Sequence, residues 1–174
     1  QKELRDKLGY VPQKGVLFSG TIDSNIRYGK PEITDAQVKE AAEVAQATEF
    51  IDTKPEKYES PVSQGGTNVS GGQKQRLSIA RAIAKDPEIF IFDDSFSALD
   101  FKTDSQLRKA LKEYTKDATT VIVAQRISTI LGADQIIVLD DGHMAGIGTH
   151  KELMANCEVY QQIARSQLSE EELA

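Results

Sequence analysis

Apolar residues recur along the chain with two different periods. Leu8-Gly9-Tyr10-Val11 predicts a short strand stopped by Pro12, because proline lacks the N–H that a central ladder requires. Residues 14–33 mix turn formers with Val16, Leu17, Phe18, Ile22 and Ile26, which suits a packed surface segment rather than a flexible linker. Thr34 can cap a helix in which Val38, Ala41, Ala42, Ala45 and Phe50 recur near the helical period. Residues 53–69 carry Pro55, Pro61, Gly65 and Gly66 and read as a loop.

From Ser70 the pattern sharpens. Ser70 and Gln73 have the spacing of a capping box and open a helix with Leu77, Ala80, Ile83 and Ala84 inward, ended by Pro87. Ile89-Phe90-Ile91-Phe92 is a continuous apolar run, the pattern of a parallel strand buried on both faces. A helix near 104–115 follows, then strands at 120–124 and 135–139. Asp141-Gly142 is a two-residue hairpin signal leading to a returning strand. Helices near 149–155 and 157–167 close the chain, and the acidic run Glu170-Glu171-Glu172 is expected to fray. Strands alternating with helices in the second half imply an α/β fold with a mostly parallel sheet; the mostly helical first half implies an attached lobe.

Length and composition narrow the class. A chain of 174 residues holds about one domain, since roughly 150 residues is typical. With 39% hydrophobic and 28% charged residues it reads as soluble and globular. Basic residues number 21 and acidic residues 27, a net charge of −6, which argues against nucleic acid as a partner because that needs a basic stripe. A small phosphate ligand stays open, since it needs only a few oriented donors. No apolar run approaches the roughly 20 residues of a membrane span. The opening QKELRDK does not read as a leader, and the lone Cys157 suits a reducing compartment.

Two clusters carry candidate chemistry. At Ser70-Gly71-Gly72-Gln73 a helix N-terminus offers unpaired N–H groups, the glycines let an anion approach the backbone, and the Ser70 hydroxyl adds a donor. By spacing alone an ordinary capped helix fits as well. Asp93-Asp94 follows the apolar strand, and ligands of doubly wound sheets collect beyond the carboxyl ends of strands. One carboxylate there can hold Mg²⁺ through water and a second can orient an attacking water, although a pair of solvated loop acids is the plain alternative.

These residues also carry a resemblance. Val69–Gln73 followed by Lys74-Gln75-Arg76-Leu77-Ser78-Ile79-Ala80-Arg81-Ala82 resembles the signature segment of ATP-binding cassette (ABC) transporters. Ile89–Asp93 resembles their Walker B strand, Ser97-Ala98-Leu99-Asp100 their D-loop and Val11-Pro12-Gln13 their Q-loop. Leu17–Ile22 with Asn25-Ile26 and Tyr28-Gly29 resembles the exporter stretch after the Q-loop, Ala124–Ile130 the switch region and Gly148–Leu153 the closing helix. The resemblance implies a P-loop NTPase-like ABC ATPase core, a mostly parallel sheet flanked by helices, with a helical lobe over 14–87. Residues 1–13 and 88–174 would then belong to the core sheet and C-terminal helices. It further implies two nucleotide-binding domains sandwiching two ATP molecules with Mg²⁺. In that arrangement Ser70, Gly71, Gly72 and Gln73 bind the γ-phosphate of ATP held by the partner. Gln13 senses Mg²⁺ and γ-phosphate, Asp93 holds the Mg²⁺ shell, and Asp100 crosses the dimer interface. Val16–Tyr28 and Ser60–Thr67 meet the cytoplasmic loops of transmembrane domains, which sets the chain at the cytoplasmic face of the membrane.

The chain departs from the family pattern in several places. The family's G-x-x-x-x-G-K-[ST] loop is not found: Gly15 and Gly20 have the glycine spacing, but Thr21-Ile22 follow. The chain is therefore expected to be a fragment, incomplete at the N-terminus, starting downstream of Walker A and binding ATP poorly by itself. Asp94 stands where the family has a catalytic Glu, one methylene longer, and Gln125 where it has a His that contacts the γ-phosphate. Gln64 stands at a position often Glu. With the signature intact and both changes on the catalytic face, the pattern resembles a heterodimeric exporter with one degenerate and one competent site. A soluble, non-transport ABC ATPase and a non-catalytic interaction fragment are the alternatives. His143 and His150 lack a partner at metal-ligand spacing, and Arg76, Arg81 and Lys85 read as solvated helix charges.

Overall fold

In the computed structural model, which describes residues 1–169, helix α1 (Lys2–Asp6) leads into strand β1 (Leu8–Val11). The acidic run at 170–172 lies outside the described residues. Past Pro12 the chain forms β2 (Gly20–Thr21) and helix α2 (Ile22–Ile26), then α3 (Asp35–Val44) and α4 (Thr48–Asp52). Strand β3 (Pro61–Val62) returns antiparallel to β2, so the segments expected as surface stretch and loop are stapled together. Next come α5 (Gly71–Ala84), β4 (Ile89–Asp93), α6 (Phe101–Tyr114) and β5 (Thr119–Val123). Last are α7 (Ile127–Ile130), the hairpin β6 (Ile136–Asp140) and β7 (His143–Gly148), and helices α8 (His150–Asn156) and α9 (Glu158–Gln167). Among the described residues no helix is long and apolar enough to cross a membrane. The chain divides into two compact units, Gln1–Val123 and the residues from Ala124 onward.

In the first unit β1, β4 and β5 pair in parallel in the order β1-β4-β5, with Tyr10 opposite Ile91 and Ile91 opposite Val121. Val11, Phe90 and Phe92 share a buried core with Leu77, Ile79 and Ile83 of α5 and Leu107 and Leu111 of α6. The opposite face is half-open: Tyr10, Val121 and Val123 are 55%, 46% and 53% exposed. Within this chain β4 alternates between buried and half-buried residues.

The helix expected to run on from Thr34 through Phe50 is corrected. It ends at Val44, and Gln46 takes a left-handed φ of 55° before α4 begins. The apolar spacing persists across the break because α4 buries Phe50 and Ile51 in the same core. Helix α6 starts three residues earlier than its apolar pattern suggests, because Asp100 caps it.

In the second unit β6 and β7 turn through Asp141 and Gly142 at φ 46° and 78°, the left-handed pair that a type I′ turn needs. Ile136 and Val138 pack inward with Leu153, Cys157, Tyr160 and Ala164. Thr149 and Glu152 form a reciprocal capping box at the start of α8.

Candidate functional site

The N-terminus of α5 is a self-contained motif. Ser70 Oγ accepts from the Gln73 N–H at 3.2 Å, and Gln73 Oε1 accepts from the Ser70 N–H at 3.1 Å. The predicted capping box is thus present in both directions, and the Ser70 hydroxyl, accepting there, keeps its own proton to donate. Ser70 and Gly71 are exposed. A methyl group on Gly71 would meet nothing within 4 Å, and one on Gly72 would make only ordinary contact with the Ala98 carbonyl at 3.5 Å. Glycine in a helix costs about 0.5–1 kcal/mol relative to alanine. Packing within this chain gives no return for that cost, so the space suits something that approaches from outside.

The acidic end is built differently. Asp93 closes β4, and Asp94 leaves it at a left-handed φ of 43°, a conformation that Asp tolerates better than most residues. The Asp94 N–H donates to the Val123 carbonyl at 2.8 Å. Gln13 Nε2 donates to Asp94 Oδ2 at 3.1 Å, which brings two predicted site residues together. Tyr10 Oη donates to Asp93 Oδ2, also at 3.1 Å. That hydrogen bond, then burial, then the charge of Asp93 raise the tyrosine pKa. Behind the acids, buried Ser95 donates to the Val11 carbonyl at 2.8 Å, tying the two strand exits to each other.

A residue the sequence did not single out links these two regions. Gln75, 1% exposed on α5, accepts from the Gly15 N–H at 3.0 Å and donates to the Pro12 carbonyl at 3.1 Å. Its carboxamide brackets Gln13 on both sides. Gly15 fits against α5 only as glycine, since a Cβ would lie 2.9 Å from the Lys74 carbonyl oxygen. Gly15 is thus packed directly against α5.

The helix charges are not solvated, contrary to expectation. Arg81 donates to the Asn25 and Val16 carbonyls and to Asn25 Oδ1 at 2.8–2.9 Å, and lies over the stacked rings of Phe18 and Tyr28. Arg76 donates to the Gln46 carbonyl at 2.7 Å and covers the Phe50 ring. Burial lowers the pKa of both. Lys85 donates to the Leu8 carbonyl at 2.8 Å. These side chains pin α5 to its surroundings. Gln64 Oε1 accepts from the Ser19 N–H at 3.3 Å.

Asp100 accepts from the Thr103 N–H at 3.0 Å and hydroxyl at 2.7 Å as the cap of α6, and these bonds hold its carboxyl below the usual range. Gln125 lies exposed in the second unit, where its carbonyl accepts from Gln167 Nε2 at 2.9 Å. His150 Nδ1 pairs with Tyr160 Oη at 2.8 Å, a structural contact.

Residues 1–97 match the family model described as ABC transporter. The chain is 46% identical over 169 residues to an uncharacterized ABC transporter ATP-binding protein of Mycobacterium bovis, covering 95% of this chain and 29% of that protein. It is also 46% identical over 160 residues to a Staphylococcus aureus protein named for multidrug export, an ATP-binding/permease protein, covering 92% and 28%. The structure of a bacterial Atm1-family ABC exporter with ATP bound superposes with a TM-score of 0.92 at 39% identity, over 97% of this chain and 30% of that one. The chain thus spans less than a third of the length of the relatives it matches.

Proposed function

Because the chain belongs to the ABC transporter family and is homologous to exporter ATP-binding domains, we propose that it couples ATP binding and hydrolysis to solute export by a longer polypeptide. The observation that carries this reading is the end of α5: an exposed serine donor beside Gly71, whose missing side chain leaves space that nothing in the chain fills, and Gly72, where a methyl would make only ordinary contact. In the proposed assembly Ser70, Gly71, Gly72 and Gln73 grip the γ-phosphate of ATP held by a second nucleotide-binding domain. Asp100 meets that partner across the interface. Transmembrane domains receive the stroke, and the chain works at the cytoplasmic face of the membrane.

The acids suit Mg²⁺. Among the described residues no group of three or more His, Cys, Asp and Glu could hold a metal by itself. Mg²⁺ takes one or two carboxylates, substrate phosphates and several waters, so an all-oxygen pair beside a carboxamide is an adequate protein share. Asp93 would hold the ion's shell, and Gln13 would contact it; the ion supplies charge neutralisation for the transferring phosphoryl group. Asp94 orients the attacking water from a shorter side chain than glutamate, and Gln125 donates to the γ-phosphate without carrying a proton. Both weaken this chain's own site and leave the one it completes on its partner intact, which favours a heterodimer with one slow and one fast site.

The experiment is steady-state ATPase activity of the full-length assembled dimer carrying Ser70→Arg. A guanidinium in the gripping position should cost on the order of 100-fold, the cost of losing one preorganised donor. Wild-type turnover would overturn the reading.

A further inference from the structure

Two neighbouring carboxylates repel, and without restraint each would sample several rotamers. Here donors from the loop or strand on the same side reach both: Gln13 reaches Asp94 and Tyr10 reaches Asp93. The register explains why Tyr10 can do so. It pairs with Ile91, and Asp93 lies two residues further along the same face, roughly 6.6 Å at 3.3 Å per residue, a diagonal that a long aromatic side chain spans. Tyr10 has no part in the buried core of this chain, and the residue is more than half exposed. Among the described residues its hydroxyl makes one hydrogen bond, and that bond goes to the proposed metal-holding residue.

We infer that Tyr10 is a positioning residue for the divalent cation: by occupying Oδ2 of Asp93 it fixes the carboxylate and leaves Oδ1 for the cation's shell. The inference rests on the proposed Mg²⁺ role of Asp93. The geometry bounds the effect. At 3.1 Å the bond is longer than the 2.5–2.7 Å of strong O–H···O⁻ pairs, so its loss should cost less than the 10–100-fold typical of well-formed outer-shell partners of metal ligands.

The test uses Mn²⁺ as probe, added with a non-hydrolysable ATP analogue to the full-length dimer, with any second metal site silenced on the partner. Mn²⁺ affinity is read by electron paramagnetic resonance, and the Mg²⁺ requirement of ATPase turnover is read in parallel. Tyr10→Phe keeps the ring and removes the hydroxyl. Its Mn²⁺ dissociation constant should rise about three- to tenfold. Half-maximal Mg²⁺ should rise by the same factor, with kcat at saturating Mg²⁺ and the thermal midpoint unchanged. Asp93→Asn, run alongside, should weaken Mn²⁺ binding further than Tyr10→Phe does. Should Asp93→Asn weaken binding while Tyr10→Phe leaves affinity unchanged, the positioning role falls and the metal site stands. Should Asp93→Asn bind Mn²⁺ normally, the metal site falls and the inference with it.

Discussion

The two ends that serve the proposed chemistry, one at the partner's site and one at this chain's own, are held in opposite ways. At the head of α5, Ser70 and Gln73 satisfy each other across three residues, and the shape is complete within one turn of helix. At the exit of β4, the carboxylates are restrained by Tyr10 and Gln13, more than eighty residues away in sequence. The first is an autonomous motif, and the second exists only once the sheet has formed. A self-capped helix end can present donors to a neighbouring subunit whatever happens elsewhere. The acidic end inherits its geometry from the parallel pairing of β1 with β4, so substitutions there act through packing as well as through chemistry.

Gln75 joins the two, and removing it gives the largest expected effect. Gln75→Leu leaves the Gly15 N–H and the Pro12 carbonyl without their buried partner, at a cost of about 3 kcal/mol of stability from two orphaned groups. A chemical denaturation midpoint measures it. An unchanged midpoint would mean that the two ends are independent. Gly71→Ala is next and separates fold from function at the autonomous end. Nothing within the chain meets the added methyl, so stability should hold or rise by up to about 1 kcal/mol. ATPase turnover of the assembled dimer should nonetheless fall about tenfold, short of the roughly 100-fold for a lost donor. A variant both stable and fully active would show that no ligand approaches there. Asp94→Glu follows. If this chain's site is the slow one, turnover of the dimer should change by less than about tenfold; a gain near 100-fold, the scale of a corrected 1 Å misplacement, would make this site rate-limiting and break the lopsided reading.

The same contrast decides what could be read without coordinates. The cap at Thr34, the capping box at Ser70, the Asp141-Gly142 hairpin and the alternation of β4, α6 and β5 are written in residues a few positions apart, and the fold agrees with them. The break at Gln46 was not legible, because a left-handed glutamine carries no propensity signal of the kind glycine does. Tyr10, Gln75 and the anchoring of Arg81 depend on partners 56 to 83 residues distant, and a linear pattern holds no record of them. Of the proposed site, the α5 end and the pair of acids are candidates that the sequence offers by itself. What holds the acids is not among them.

The smallest expected effect tests whether a local motif stays local. Asp100 caps α6 through two bonds to Thr103, and the hydroxyl bond, followed by the backbone bond, lowers its pKa below the usual 3.8. A depressed carboxyl favours the folded state while it is charged. The contribution is therefore in place above the ordinary aspartate range and is lost as pH falls through the folded-state value. The side chain is exposed, so solvent screens the effect and the slope should be slight. Carboxyl carbon shifts followed by NMR should place the Asp100 midpoint under 3.8. Asp100→Asn, an equally good cap, should keep the neutral-pH thermal midpoint and remove this share of the acid-side slope. A midpoint at or above 3.8 would mean that the cap opens in solution, and that the residue proposed to cross the dimer interface waits on its partner for its shape, as the acids wait on the sheet.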